Sequence, residues 1–119
     1  MEGRKMYVDR TESVADQPIA EKGIAGVTMK VLIGQEQGAP NFVMRIFEIA
    51  ENGHTAYHTH PWEHEVYVIE GVGAVKQGEK EYPLEQGTFV LVKPNEEHQF
   101  LNKGKGPLKF ICVVPKMES

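Results

Sequence analysis

The stretch "HTHPWEHEVYVIEG", His58 to Gly71, places three of the chain's five histidines within seven positions, just ahead of an alternating apolar run. In an extended strand successive side chains point to opposite faces, so His58 and His60 look the same way. Their Cα atoms then stand roughly 7 Å apart, at about 3.3 Å per residue. Imidazoles converge from that separation on one ion through metal–nitrogen bonds of about 2.0–2.2 Å. Pro61 interrupts the strand, because proline has no N–H to give to a ladder. His64 opens a second strand and shares its face with Val66 and Val68, whereas Glu65 falls with Tyr67 and Ile69. A single histidine on a half-buried strand is more often a hydrogen-bonded core residue than a ligand. Three so close together reverse that expectation. Each buried polar group left unpaired costs about 1–3 kcal/mol, and one shared cation would serve all three rings.

Outward from this stretch, the chain of 119 residues suits one domain able to bury a modest core. Twelve glycines and seven prolines punctuate it every eight to twelve residues, the spacing of many short strands. Strands are predicted at 6–9, 25–33, 42–50, 56–60, 64–70, 72–77, 79–83, 88–92, 98–102 and 108–114, with turns such as "AENGHT", "EGVG", "KPNEE" and "NKGKGP" between them. No segment keeps a 3.6-residue apolar period. A helix within 11–23 would be short, given Pro18 and Gly23. This pattern predicts an all-β barrel or two-sheet jelly roll, which hides its sheet edges. Residues 1–25 are expected to form an N-terminal arm or edge strand and 26–119 the barrel.

The run "NFVMRIFEIA" carries Phe42, Met44 and Ile46 on one face and Val43, Phe47 and Ile49 on the other. Both faces are therefore expected to be covered, one by the barrel interior. A second subunit is the expected cover for the outer face, making a homodimer; the alternative is the chain's own segment 1–25. Arg45 shares the face of Phe47. It either sits inside the cavity, needing a carboxylate or an anionic substrate, or lies at the mouth with its head in water.

His98 opens a later strand, sharing a face with Phe100 and Asn102, and the "KPNEE" turn delivers it at the barrel mouth. His54, in "AENGHTA", reads as a solvent-exposed loop residue. In "LKFICVVP", Phe110, Cys112 and Val114 share a face that closes the pocket, unless Cys112 is simply a small buried hydrophobe. Trp62 either caps the entrance or packs at the bend after Pro61.

Net charge is −4, with no Lys or Arg run, which argues against nucleic acid or an anionic membrane as partner. The N-terminal residues show no apolar signal-like core, and the apolar runs are too short and too charged to cross a bilayer as helices. A single cysteine fits a reducing compartment, so the cytoplasm is the expected location.

Two motifs together resemble those of the cupin superfamily. The first is "GHTAYHTHPWEHEVYVIEG", Gly53 to Gly71; the second is "GTFVLVKPNEEHQFLN", with Gly87, Pro94, His98 and Asn102. They span about a third of the chain. The resemblance implies the cupin jelly-roll β-barrel, also called a double-stranded β-helix. At the place of the family's usual acidic ligand stands His64, or Glu65 under the alternative spacing, and parity favours His64. "NFVMR", "HPWEHE" and "PNEEH" are similar to the small four-histidine manganese cupins of bacteria. That likeness implies metal ligands His58, His60, His64 and His98, a dimer, and oxidative chemistry with oxygen or peroxides.

Four neutral imidazoles leave the full charge of a divalent ion uncompensated, and an octahedral ion keeps two positions open; a structural zinc site would close at four. Imidazole softness favours Zn, Cu, Fe and Ni, whereas the resemblance implies Mn. Mn ranks first, then Fe, Cu, Ni and Zn. The expected pocket residues are Arg45, Phe47, Trp62, Phe100, Phe110 and Cys112. The expected function is a metal-dependent oxidoreductase, a dioxygenase or peroxide-using enzyme acting on a small organic substrate. The alternatives are a non-redox decarboxylase or isomerase, with Tyr57, Glu63 and Glu65 as candidate acid–base groups, and a binding module that catalyses nothing.

Overall fold

A computed structural model describes residues 6–116. Its strands are β1 (Gln17–Pro18), β2 (Ala25–Ile33), β3 (Phe42–His54), β4 (His64–Glu70), β5 (Gly73–Gln77), β6 (Lys80–Leu84), β7 (Phe89–Val92), β8 (Gln99–Asn102) and β9 (Leu108–Pro115). The sheet runs β6-β5-β8-β3-β9-β4-β7, with β2 also on β3 and β1 on β2. All ladders are antiparallel. β3 joins the two walls. Its first part, Phe42 to Ile49, pairs with β9, and its last residue, His54, pairs with Leu101 of β8. The sheet thus curls on itself as a jelly-roll β-barrel.

Alternation along the strands decides what lies inside. In β9, Leu108, Phe110, Cys112 and Val114 are buried, and Val66 and Val68 of β4 meet them. Ile49, Leu84, Val92 and Phe100 complete the same core. Burying each such side chain is worth about 1.5–3 kcal/mol, so a one-residue slip in β4 or β9 would turn the whole apolar set outward. The turn between β4 and β5 needs its glycines. Gly71 has φ +97°, and a Cβ there would strike the carbonyl of Pro107; a Cβ on Gly73 would strike the carbonyl of Leu101.

Three local expectations are corrected, while the 11–23 segment holds, as expected, no more than a short helical turn, the 3-10 turn Thr11–Ser13 followed by β1. Residues 6–9 form no strand. Residues 56–60 make no regular strand, only an isolated bridge between His58 and His98. The reason lies in the meeting with β8: Thr55 takes the N–H of Phe100 on its side-chain Oγ1 while giving its own N–H to Phe100 O, so a side chain replaces one rung of the ladder. His54 is not in a solvent-exposed loop. It ends β3, half-buried, with its Nδ1 beside Thr55 O and Gln99.

The arm follows β2. Gln17 and Pro18 pair with Met29 and Thr28, and Ile19 N–H donates to Val27 O. Ile19 and Ile24 pack on the core, while Lys30 donates to the carbonyl of Thr11. Thr11 and Asp16 border a groove with Ile46 on the outer face, so the arm reaches that part of it. Phe42 remains 66% exposed. Further round, Tyr67, Phe89, Leu91, Ile111 and Val113 line a second outer groove, with Phe89 79% and Leu91 51% exposed. Among the described residues no helix is long and apolar enough to cross a membrane.

Candidate metal centre

The main chain pairs two of the histidines directly. His58 N–H donates to His98 O and His98 N–H to His58 O, each at 3.1 Å. His60 follows two residues on, and its place is fixed by the Asn95 N–H donating to its carbonyl at 2.8 Å. One side-chain nitrogen from each of His58, His60 and His98 lies within 4.8 Å of the other two. These three can hold a divalent metal.

Their outward-facing ring atoms fit that role. His60 Nδ1 lies 2.9 Å from Trp62 O, and His98 Nδ1 lies 2.9 Å from Glu96 O. A carbonyl only accepts, so each Nδ1 carries the proton and each Nε2 is left with a lone pair. Both Nε2 atoms are buried and have no hydrogen-bond partner. A metal-binding histidine typically has its other nitrogen anchored in this way, and an ion is the partner that two neighbouring buried lone pairs call for.

His64, the first residue of β4, stands beside this group but outside the three whose nitrogens are mutually close. Its ring stacks on His60, 4.2 Å between centroids and 9° from parallel, and lies 5.1 Å from His98. Its Nδ1 is 3.6 Å from Cys112 Sγ. Burial, followed by the charges of His60, His98, Arg45 and His58, depresses the pKa of His64 to about 3. Burial likewise lowers those of His58 and His98. These rings are neutral at pH 7, the form that binds metal.

The histidines border a cavity of about 360 Å³, within the size range of small-ligand sites. Every pocket residue expected from the sequence lines it: Arg45, Phe47, Trp62, Phe100, Phe110 and Cys112. Phe110 stacks on Phe47 at 5.6 Å and tilts against Phe100 at 4.8 Å, giving an aromatic floor. Trp62 lies flat on His60. Burial raises the pKa of Cys112, against the opposing charge of Arg45. The arm adds Ile19, Glu21 and Ile24 to the wall, residues not foreseen from the sequence. The only signal for them was the isolated pair of isoleucines in a polar segment.

The candidate acid–base groups lie elsewhere. Glu65 is exposed and lines the outer groove with Tyr67. Tyr57 donates to Glu97 and accepts from the Gly78 N–H. Glu63 is exposed and absent from the cavity wall. The carboxylate that does border the cavity belongs to Glu21.

The polyketide cyclase RemF from Streptomyces resistomycificus superposes with a TM-score of 0.89 at 29% identity, over 95% of this chain and 81% of that one. A cupin 2 conserved barrel domain protein from Rhodopseudomonas palustris gives 0.79 at 28% identity, over 89% of this chain and 74% of that one. A predicted oxalate decarboxylase from Thermotoga maritima shares the fold, with 0.81 at 23% identity over 93% of this chain and 100% of that one. No curated protein matches the sequence. The cupin domain family model matches residues 45–114, a span that holds the four histidines bordering the cavity, and the chain belongs to the cupin family.

Proposed function

We propose that this cupin is a metal-dependent oxidoreductase that uses dioxygen or a hydroperoxide to oxidise a small organic substrate. His58, His60, His64 and His98 are its ligands and Mn its resident ion. The observation that carries the metal reading is the pair of buried, partnerless lone pairs on His60 Nε2 and His98 Nε2. His64 joins them because its neutral ring lies against His60 and near His98. When bound, the ion would supply Lewis acidity toward substrate and oxidant.

The chain's own residues do the rest. Trp62 O and Glu96 O hold the tautomers of two ligands. Phe47, Phe100 and Phe110 keep water from the substrate's side of the cavity. Tyr57, Glu63 and Glu65 are all away from the wall, so proton-transfer chemistry would rest on Glu21, the carboxylate that borders the cavity. A second reading, metal-assisted ring closure without redox change, is favoured by the likeness to a polyketide cyclase over 95% of the chain. In that case Glu21 is the available base. The single buried thiol fits a reducing cytoplasm.

The test loads the protein with one metal at a time and adds an alkyl hydroperoxide with alkene or phenolic substrates. Oxidised product is expected with Mn or Fe, or one oxygen atom gained at Cys112 as its thiol becomes a sulfenic acid and the hydroperoxide an alcohol. His58→Ala should show neither. Loaded and metal-free proteins behaving alike would remove this reading and favour a binding module. Ring closure of a polycarbonyl substrate without oxidant would favour the second.

The homodimer is also proposed. A second copy covers the outer groove of Tyr67, Phe89, Leu91, Ile111 and Val113, whose apolar side chains otherwise face water.

A further inference from the structure

Arg45 is a cation without an ion-pair partner among the described residues, the Glu21 carboxylate of the same cavity lying beyond ion-pair distance. It projects from β3 into the cavity that the histidines border. Among the described residues no carboxylate lies within ion-pair distance of it; the ion pairs are Arg10–Glu12, Lys103–Glu81 and Lys109 with Glu48 and Glu70. Its Nε is buried and has no acceptor. Its terminal nitrogens meet only sulfur, Nη1 at 4.0 Å from Met29 Sδ and Nη2 at 3.4 Å from Cys112 Sγ. Thioether and thiol are weak acceptors. A half-buried guanidinium with a buried, unpartnered Nε and only sulfur acceptors on its terminal nitrogens is poorly satisfied.

The group is nevertheless held in one place. Its carbon lies 4.9 Å from the centre of the Phe47 ring, so the aromatic face steadies it. Phe47 in turn stacks on Phe110. On the other side, Cys112 stands between Arg45 and His64, touching each. Arg45 and His64 therefore stand on the two sides of one sulfur atom, in a cavity whose wall also carries the rings of Phe47, Phe100 and Phe110. A planar guanidinium takes a planar carboxylate through two parallel hydrogen bonds.

We infer that Arg45 docks the carboxylate of the substrate, and that the substrate is a small organic acid with an unsaturated or aromatic body held in the aromatic-walled cavity and its reactive end toward the histidines. This names the substrate class of the site proposed above and rests on that reading for the reactive end alone. The docking itself depends only on the cavity and its cation.

The test is a binding measurement on the metal-loaded protein with cinnamate and its uncharged partner cinnamamide, followed by calorimetry. The wild type should bind cinnamate at least tenfold more tightly than the amide. Arg45→Met should bring the two within about twofold while leaving metal content unchanged, and Arg45→Lys should keep part of the preference. Equal affinities in the wild type would overturn the inference. So would a preference undiminished in Arg45→Met, which would place the carboxylate on the ion. A variant that loses metal is replaced by Arg45→Gln for the same comparison. Since turnover is not read, failure to oxidise any substrate would count against the oxidoreductase and leave this result standing.

Discussion

The ring of Trp62 lies flat on that of His60, 4.6 Å between centroids and 7° from parallel, while the carbonyl of the same tryptophan accepts the His60 Nδ1 proton at 2.9 Å. One residue thus sets both the tilt and the tautomer of a candidate ligand. Trp62 is the chain's single tryptophan. Titrating Mn into the metal-free protein should quench its emission and saturate at one ion per chain. Trp62→Ala keeps the carbonyl but loses the stacked face, and should weaken metal retention about tenfold, at the low end of the effect of removing a ligand's supporting neighbour. A chelator competition measures this. Unchanged retention would show that the carbonyl alone orients His60.

Alanine at His58, His60, His64 or His98 should lower metal content below that of the wild type when measured by elemental analysis. Alanine at His54, half-buried against Gln99, should leave it unchanged. Glu65→Ala should do likewise, because Glu65 faces the outer groove. Full occupancy in His64→Ala would reduce the ligand set to the three histidines whose nitrogens lie closest together.

The depressed histidines make the stability of the metal-free protein depend on pH. In the unfolded chain a histidine takes up its proton near 6.5, whereas burial and neighbouring charge hold His64 down to about 3. Below about 6.5 the unfolded state therefore binds more protons. The stability these neutral rings provide is complete above that value and is lost progressively as pH falls toward the folded value. The melting temperature of the metal-free protein should fall between about pH 7 and pH 5, by about 4 °C for each kcal/mol lost in a domain of this size. His64→Leu should flatten the slope. An unaltered slope in that variant would assign the dependence to other groups.

Light scattering at micromolar concentration should give about twice the chain mass of 13.4 kDa. Leu91→Arg, which sets a charge in the outer groove, should shift the protein toward the single-chain mass without changing its metal content. A single-chain mass for the wild type across a wide concentration range would leave the groove without its second copy.

The parts of this molecule legible in the sequence are those governed by alternation. β4 and β9 read in the right register because each has one strictly apolar face; parity sets Arg45 on the face of Phe47 and Cys112 on that of Phe110, and it is the structure that turns both faces into the cavity. The less legible parts depend on which segments meet. That Arg45 would find no carboxylate could not be read from β3 alone, since its neighbours come from β2 and β9. The arm's share of the cavity was missed because Ile19 and Ile24 follow no period and are buried only by docking along β2. The composition of residues 56–60 allows a strand; the Thr55 side chain that replaces a rung acts against β8, 45 residues on.

The bridge between His58 and His98 is made entirely by main-chain atoms, two N–H···O contacts at 3.1 Å, with neither imidazole taking part. The anchor points of both donors are therefore settled independently of which side chains they carry. Exchange of either histidine for cysteine, aspartate or glutamine changes the donor and its charge while leaving the spacing between the two Cα atoms in place. The site is in this sense modular: its chemistry can be rewritten, by evolution or by engineering, one donor at a time on a frame that does not depend on the donor.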